Sequence, residues 1–305
     1  MKSKKELLEL YNLDLNSLLS EAKKYILPEF ELCSLVSAKT GKCSQNCKYC
    51  AQSTHYNTNI PTHPLIKIEE VVKAALEAKK SHATRFAIVT SGKTPEEGKD
   101  FDVMLDMIKK INEIGLKSCA SLGILNENQT NKLKEAGLFR YHHNINTSES
   151  YHTEICTTHT FQDRINTCKL VKKAGMELCC GIIMGMGETI EQRIEMALNL
   201  SQIEPDSIPI NILTPIKGTP FENYLNKIDE ENILKTIAII KIANPKASIR
   251  LAGGKSARMS KEMIEKAFEH CIDSTISGNY LVTTGFSPKE DIEIIKNAKR
   301  KLKTN

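Results

Sequence analysis

The 305-residue sequence lacks any apolar run of membrane-spanning length, so we expect no membrane-spanning segment and no membrane partner. Its opening, MKSKKELLELYNLDL, also lacks the apolar core of a signal peptide, which predicts a cytoplasmic location. No long linker, low-complexity tract or break in composition divides the chain. We therefore predict a single domain over residues 1–305, with its core at about residues 28–285.

A strong excess of one charge is missing as well. The net charge is only +5, and the lysines are scattered along helical segments and a Lys-rich tail. That pattern is typical of a solvated surface, so we expect no nucleic-acid partner. What the chain does contain is ten cysteines. In a cytoplasmic protein this number favours metal or redox chemistry over a disulfide framework.

Three of these cysteines lie within eight positions, in GKCSQNCKYCAQSTHY at residues 41–56. Cys43, Cys47 and Cys50 are one ligand short of a closed tetrahedral zinc site. They are also one ligand short of filling a four-iron cluster, which would leave one iron open. From the spacing alone, the fourth ligand is His55, a distant cysteine or a group that is not protein.

Short apolar or β-branched runs alternate with amphipathic helical segments after a helical opening. The eight predicted strands lie in FELCSLVSA, TRFAIVTSG, LKSCASLGI, RYHHNIN, MELCCGIIMG, DSIPINILTP, ASIRLAGG and STISGNYL. Glycine or asparagine ends several of the helical segments, at Gly115, Gly137, Gly175 and Asn244. This order predicts an α/β protein with a (βα)8 TIM-type barrel and an N-terminal helical extension.

In such a barrel the chemistry is carried by the C-terminal ends of the strands and the loops that follow them. The cysteine triplet falls in the loop after the first strand. The other candidates lie on later strands: Cys119 on the third, His142 and Asn144 on the fourth, Cys179 and Cys180 on the fifth, Asn211 on the sixth and Arg250 on the seventh. Because strand residues alternate between faces, only one of Cys179 and Cys180 can point into the lumen.

The motifs LCSLVSAKTGKCSQNCKYCAQS, SCASLGIL, YHHNINTS, CTTHTFQDR, GMGET, IPINILTPIKGTP and IRLAGG occur in this order. The sequence thereby resembles the biotin synthases, which are radical S-adenosylmethionine (SAM) enzymes, from about residue 30 to about residue 285. The resemblance implies a sulfurtransferase that inserts sulfur between two unactivated carbons of dethiobiotin to form biotin. It also implies an electron donor of the flavodoxin or ferredoxin type, and we expect a homodimer.

By this resemblance Cys43, Cys47 and Cys50 hold a 4Fe–4S cluster whose fourth iron binds the amino and carboxylate groups of SAM. An electron from the cluster then cleaves SAM to a 5′-deoxyadenosyl radical. Tyr49 is implied to lie against the adenine. The alternative interpretation of the triplet is a zinc site completed by His55, in a binding module without catalysis.

The resemblance also assigns a pocket for SAM and the substrate. Arg164 matches a SAM-contacting arginine, and Gly185 and Gly187 of GMGET are expected to allow close approach of the backbone to SAM. Asn144 matches an asparagine that contacts SAM and substrate. Further substrate contacts are expected from His142 and Asn211, although for Asn211 a buried structural role is an equal alternative.

Two positions in the fourth-strand motif depart from the family. The family often has Asn at His142 and Asp at Asn146, so a carboxylate expected near the ribose of SAM is absent. In the next motif Thr160 and Asp163 fit a helix N-cap followed by an acidic residue three positions later, which predicts a structural role.

Biotin synthases commonly hold an auxiliary 2Fe–2S cluster that supplies the sulfur. Cys119, Cys179 and Arg250 match three of its usual ligands, but Ala87 stands where the second strand should supply a cysteine. We therefore expect Cys156 or Cys180 to provide the missing thiolate. Biotin synthases of anaerobes can carry a larger four-iron auxiliary cluster with an extra sulfide, and the resemblance leaves this cluster as the alternative to 2Fe–2S.

The remaining cysteines, Cys33, Cys168 and Cys271, match no motif and are predicted to be packing residues. One alternative function within the radical SAM enzymes is that of a hydrogenase-cluster maturase or a methylornithine synthase. The AQS and IKGTP motifs argue against it.

Overall fold

The structure is a computed structural model that describes residues 2–278 and 285–304. Its centre is a parallel sheet that closes on itself when the first strand pairs with the ninth. The strands are β1 Glu29–Lys39, β2 Arg85–Thr90, β3 Lys117–Ser121, β4 Arg140–His142, β5 Glu177–Cys179, β6 Ile182–Met184, β7 Ser207–Ile212, β8 Ser248–Leu251, β9 Ser274–Ile276 and β10 Lys301–Leu302.

Eight positions in this barrel correspond to the eight predicted strands, and the (βα)8 prediction is confirmed. The fifth position is shared by β5 and β6, both of which pair with β7. Outside the barrel, β10 extends the start of β1 in parallel. Part of the eighth predicted strand, residues 279–281, lies outside the described residues.

Helices cover the outside of the barrel. Their bounds are α1 Lys4–Tyr11, α2 Leu15–Lys23, α3 Ile68–Lys80, α4 Lys99–Glu113, α5 Glu127–Glu135, α6 His152–Ile155, α7 Phe161–Lys173, α8 Ile190–Ile203, α9 Glu230–Ala243, α10 Lys255–Arg258, α11 Lys261–His270 and α12 Pro288–Asn297, with a 3₁₀ turn at Glu149–Tyr151. The predicted N-terminal extension is α1 and α2, which pack against α8 and α9. Within the described residues, none of these helices is long and apolar enough to span a membrane.

Alternation along each strand separates a helix-facing side from a lumen-facing side. On β1, Phe30 and Leu32 belong to the main apolar core beneath the helices. Glu31 lies between them and points the other way, because its carboxylate binds Arg85 of β2. The barrel interior is therefore polar at this level, whereas the branched apolar side chains typical of TIM-barrel lumens are on the outside.

The break between β5 and β6 depends on Gly181. A Cβ atom at this position would lie 1.9 Å from the carbonyl oxygen of Pro209 on β7. Only glycine allows the two backbones to approach this closely, and no side-chain movement could relieve the contact. Beyond the break, β6 continues the parallel pairing with β7.

The predicted helix ends are confirmed. Gly115, Gly137 and Gly175 each follow the last turn of a helix with positive φ, and Asn244 is the C-cap of α9. At the start of α7, the hydroxyl of Thr160 accepts from the backbone N–H of Asp163, and the Asp163 carboxylate accepts from the N–H of Thr160. This capping box fixes the direction in which α7 leaves the mouth of the barrel.

Candidate active site

The cysteine triplet lies on the long loop between β1 and α3, at the C-terminal mouth of the barrel. The loop folds back on itself: the N–H of Cys43 donates to Gln52 O at 2.9 Å, and the N–H of Thr54 donates to Cys43 O at 2.8 Å. A tight turn follows, in which the N–H of Cys50 donates to Cys47 O. These bonds hold the three cysteines on one compact segment, as the spacing predicted.

A second loop, at residues 155–159 after β4, docks against the triplet. The side-chain oxygen of Asn46 accepts from the N–H groups of Thr157 and Thr158, and the N–H of Lys48 donates to Ile155 O. The docking brings the sulfur atoms of Cys47 and Cys156 to 3.6 Å from each other. In this contact the Cys47 thiol donates a hydrogen bond to the Cys156 sulfur, which lowers the pKa of the Cys156 thiol.

This placement corrects two predictions. Cys156 lies beside Cys47 and within 3.3 Å of His159 Nδ1, not beside Cys119 and Cys179 in the lumen. It is therefore not placed to replace a missing ligand there. Among the described residues, the only compact group of three or more His, Cys, Asp or Glu ligand atoms is Cys47, Cys156 and His159, so His55 does not complete a zinc site with the triplet. His55 Nε2 instead contacts Ser44 O.

A cavity of about 220 Å³ opens between the two loops and the strand ends. It is lined by residues that the sequence analysis selected, together with the ends of β2 and β3: Cys43, Cys47, Tyr49, Cys50, Ser91, Ser121, His142, Asn144 and Arg164. All ten cysteines of the chain are free thiols. The cavity thus offers three thiols that are not in disulfides, of which Cys47 is hydrogen-bonded to Cys156, beside side chains that can donate or accept hydrogen bonds.

The end of the fourth strand organises one wall of this cavity. Arg164 of α7 donates to Asn144 O at 2.8 Å and to His159 Nε2 at 3.0 Å, so it joins the strand end to the docking loop. The side-chain oxygen of Asn144 accepts from the N–H of Gly181. Asn144 and Arg164 are therefore held in fixed positions on the cavity wall before any ligand binds.

Asn146 has a role that the sequence did not predict. It adopts a left-handed conformation with φ 67°, which asparagine tolerates better than most residues. Its amide nitrogen donates to the hydroxyl of Tyr49 at 2.7 Å. An aspartate at this position could only accept a hydrogen bond from the Tyr49 hydroxyl, so the departure from the family reverses the direction of a contact that orients Tyr49.

His142 lies where the cavity meets the barrel lumen. Burial, together with the positive charges of Arg250, Arg140 and Arg85, holds the pKa of His142 well below its usual range. The imidazole is therefore neutral, and its buried Nε2 has no hydrogen-bond partner within the described part of the chain. This free nitrogen is available to a bound molecule, as a donor or as an acceptor depending on the tautomer.

Two sets of predicted contact residues, the glycines of the GMGET loop and Asn211, do not line the cavity. Gly185 and Gly187 have positive φ, but the space beside them is filled by Ile228 and by Tyr151 and Tyr224. The carboxylate of Glu188 accepts from the N–H groups of Gly185 and Met186, so these backbone donors of the GMGET loop are already used within the loop. The expectation that these glycines bring backbone against SAM is not supported by their neighbours.

Asn211 on β7 is the other predicted contact residue that does not line the cavity. Its amide nitrogen donates to Ile182 O on β6, and its amide oxygen accepts from the N–H of Gly253 after β8. These two backbone contacts favour the structural alternative over a contact with substrate.

Below the cavity, the lumen contains the predicted auxiliary-site residues. Cys119 and Cys179 are fully buried, and a guanidinium nitrogen of Arg250 lies 3.9 Å from the Cys179 sulfur. Ala87 is in register with Cys119 on the neighbouring strand. The expected strand-two thiolate is thus absent at a position that borders the site.

Cys180 does not replace it. Its sulfur lies 3.9 Å from that of Cys168 on α7, in the apolar layer between the barrel and the helices. The prediction that only one of the adjacent pair can face the lumen agrees with this arrangement, and the lumen-facing residue is Cys179. The hypothesis that Cys180 serves as a ligand beside Cys119 is therefore wrong in this geometry.

One lumen cysteine was missed. The sequence predicts a packing role for Cys33, but Cys33 lies on the same face of β1 as Glu31, and its thiol lies 3.9 Å from the Glu31 carboxylate. The signal that could have identified it is the two-residue alternation along β1, in which Phe30, Leu32 and Ser34 share one face and Glu31 and Cys33 share the other.

The sequence matches the Radical SAM superfamily over residues 38–200 and the Biotin and Thiamin Synthesis associated domain over residues 209–301. It is 46% identical to the biotin synthase of Clostridium tetani over 293 residues, which cover 94% of this chain and 89% of that protein. It is 45% identical to the biotin synthase of Acetivibrio thermocellus over 275 residues, which cover 90% and 85% of the two chains.

Solved structures confirm the barrel. Methylornithine synthase superposes with a TM-score of 0.79 and 18% identity, over 99% of this chain and 91% of that one. The FeFe-hydrogenase maturase HydG from Carboxydothermus hydrogenoformans superposes with a TM-score of 0.79 and 16% identity, over 98% and 75% of the two chains. At these identities the likeness concerns the fold alone.

Proposed function

The chain belongs to the biotin synthase family of radical SAM enzymes, and we propose that the cavity at the barrel mouth is where it binds its 4Fe–4S cluster and SAM. The family's reaction is the insertion of sulfur into dethiobiotin to form biotin. The observation that carries the assignment of residues is that Cys43, Cys47 and Cys50 share one hydrogen-bonded loop on the wall of this cavity.

The donor set fits a cluster with one open iron. The triplet supplies three free thiols, and His55, the nearby alternative ligand in sequence, is turned to a backbone carbonyl. Thiolate is the usual protein ligand of iron–sulfur clusters. When bound, the cluster and SAM supply one-electron chemistry that generates a carbon radical able to remove hydrogen from an unactivated carbon.

The protein's own contribution is orientation. Tyr49 presents an aromatic face held by the Asn146 amide, which suits stacking of the adenine of SAM. Arg164 and Asn144 present polar groups held by the strand end and by α7, which suit the polar groups of SAM. Because these side chains already have fixed partners, little conformational entropy is lost when the ligand binds.

His142 is the group best placed to contact dethiobiotin. It lies between the cavity and the lumen, is neutral, and its Nε2 has no hydrogen-bond partner among the described residues. A neutral imidazole suits the uncharged ureido ring of dethiobiotin, since it offers a hydrogen bond without requiring a counter-charge. Asn144 adjoins it on the same strand and extends the same polar wall.

In the lumen, Cys119, Cys179 and Arg250 form the proposed auxiliary iron–sulfur site that supplies the sulfur. The fit rests on buried thiols beside a guanidinium group, one nitrogen of which has no hydrogen-bond partner in the part of the chain that the structure describes. We further propose a single-domain enzyme that acts in the cytoplasm as a homodimer, with a flavodoxin or ferredoxin as electron donor.

The test uses single Cys43→Ala, Cys47→Ala and Cys50→Ala variants, with Cys271→Ala as a control because Cys271 is a buried cysteine at the end of α11. After anaerobic reconstitution, each triplet variant should lose reductive SAM cleavage and part of its iron, while the control keeps both. Dethiobiotin should accelerate SAM cleavage in the unmodified chain. Normal 5′-deoxyadenosine formation by a triplet variant, or zinc in place of iron, would contradict the proposal.

A further inference from the structure

The direction of Cys33 follows from the ion pairs around its neighbour. Glu31 accepts two hydrogen bonds from Arg85 of β2, at 3.1 and 3.0 Å, and its carboxylate lies 4.0 Å from Arg140 of β4. Arg85 and Arg140 also bind Glu177 of β5. Side chains from β1, β2, β4 and β5 can meet in this way only inside the barrel, so Glu31 points inward. Cys33, two residues further along β1, shares that direction.

The surroundings of Cys33 are those of the proposed auxiliary site. The charges that act most strongly on it are those of Arg250, Glu31 and Cys119. In turn, the acidic groups that act most strongly on Arg250 include Cys33, Cys179 and Cys119. Arg250 is also in register with Ser274, which is in register with Glu31. The charge of the Arg250 guanidinium group therefore acts on all three cysteines, and one of its nitrogens lies 3.9 Å from the Cys179 sulfur.

Cys33 is also close to the position of the missing thiolate. Ala87 is in register with Leu35 on β1, and Cys33 is the next inward-facing residue below Leu35. From strand spacing and rise per residue, the Cα atoms of Cys33 and Ala87 are about 8 Å apart. A cysteine on β1 can thus serve a ligand bound between the strands at the level of Ala87 and Cys119.

The lumen has an excess of positive charge. Arg85, Arg140 and Arg250 are each at least 95% buried, and they face two carboxylates, those of Glu31 and Glu177. Among these five side chains one positive charge is left over when the thiols are protonated, and the partly exposed ammonium group of Lys303, 3.8 Å from the Glu31 carboxylate, adds to the positive charge. Each of these arginines also keeps one buried nitrogen without a hydrogen-bond partner among the described residues. An unpaired buried donor costs about 1–3 kcal/mol, so the arrangement favours an anionic occupant.

We propose that Cys33 is the third thiolate of the auxiliary cluster, with Cys119 and Cys179, and that it replaces the strand-two cysteine absent at Ala87. The inference rests on the proposed function, in which the lumen holds that cluster. An iron–sulfur core of charge 2+ bound by three thiolates carries one net negative charge, which balances the leftover positive charge of the arginines. Arg250 then acts as a nearby cation or as a fourth ligand.

The experiment isolates the lumen site by replacing Cys43, Cys47 and Cys50 together with alanine, so that iron bound after anaerobic reconstitution belongs to the auxiliary site. This background should retain about two or four irons per chain, with the absorption and Mössbauer signature of a cluster. Adding Cys33→Ala should reduce the content to less than about one iron. Adding Cys180→Ala instead should leave it unchanged, because Cys180 is a buried cysteine on the outward face.

A rescue variant separates ligand loss from misfolding. Ala87→Cys, added to the Cys33→Ala chain, returns a thiolate to the neighbouring strand and should restore at least half of the lost iron, with an unchanged far-ultraviolet circular dichroism spectrum throughout. Iron content insensitive to Cys33→Ala overturns this inference but leaves the auxiliary site intact. Failure of the rescue after a loss of iron also overturns it, because the loss then reflects packing. A background that binds no iron overturns the auxiliary site itself.

Discussion

Replacing Glu31, at the base of the lumen, tests how much the buried ion pairs contribute to the stability of the folded chain. Glu31 is 8% exposed and accepts hydrogen bonds from Arg85 and from the hydroxyl of Thr84. Burial alone would raise the pKa of its carboxyl group, but Arg85, Arg250 and Arg140 reverse this and lower the pKa to about 2. The carboxylate is therefore a stabilising element of the folded, iron-free chain.

The size of the effect follows from that pKa. The difference between about 2 and the ordinary value near 4.5 corresponds to about 3 kcal/mol of folding free energy at neutral pH. Replacement by glutamine keeps the shape but leaves the arginines without this counter-charge, and breaking a buried ion pair typically costs about 3–5 kcal/mol. For a chain of this length we expect the midpoint of thermal unfolding to fall by about 6 °C.

The assay is thermal and urea unfolding of iron-free wild-type and Glu31→Gln chains, with Glu113→Gln as a control because Glu113 forms an exposed ion pair with Lys110. The control should change stability by less than about 0.5 kcal/mol. Because the folded pKa of Glu31 lies below its unfolded value, its contribution is complete above about pH 5 and is lost as the pH falls toward about 2. The difference in the free energy of unfolding between wild type and Glu31→Gln should therefore become smaller at about pH 3. Equal stability of the two chains at neutral pH would refute the reasoning.

Two further predictions concern the mouth of the barrel and the break in the fifth strand. Arg164→Lys should weaken SAM binding by about tenfold in isothermal titration while the iron content stays unchanged, because lysine cannot contact Asn144 O and His159 Nε2 at the same time. An unchanged affinity for SAM would show that Arg164 is not part of the SAM site. Gly181→Ala should destabilise the chain by about 3 kcal/mol or more in urea unfolding, because its methyl group would clash with the Pro209 carbonyl. The control Gly98→Ala, where no other described residue lies close to the added methyl group, should lower the free energy of unfolding by about 1 kcal/mol. Equal effects of the two substitutions would contradict the packing argument.

Much of the fold could be predicted because each local signal agreed with the others. The β-branched runs, the helix-ending glycines and the capping box of Thr160 and Asp163 all appear in the structure where the sequence placed them. The triplet loop was also predictable, since its three cysteines are neighbours in sequence and one loop must carry them together.

The errors concern residues whose meaning depends on distant partners. Cys156 and Cys180 were both available thiols by sequence, but one is docked against Cys47 and the other is directed at Cys168. The position of Cys156 is set by the hydrogen bonds through which its loop docks on Asn46. The direction of Cys180 is set by the alternation of side chains along β5, which ends just before Gly181. Asn211 was equally balanced between two roles, and its two backbone contacts appear only when β6 and β8 are placed beside β7.

Ala87 and Cys33 illustrate how a barrel can move a ligand without changing its fold. Neighbouring parallel strands present inward side chains in the same space, so a thiolate lost from β2 can be supplied by β1 if the parity of β1 allows it. Burying three arginines and Glu31 lowers the stability of an empty lumen, and a chain selected for stability alone would fill this space with branched apolar residues. The lumen instead combines cysteines with arginine nitrogens that have no hydrogen-bond partner within residues 2–278 and 285–304. This combination indicates that the charges of the lumen are matched to a bound anionic group rather than to the barrel itself.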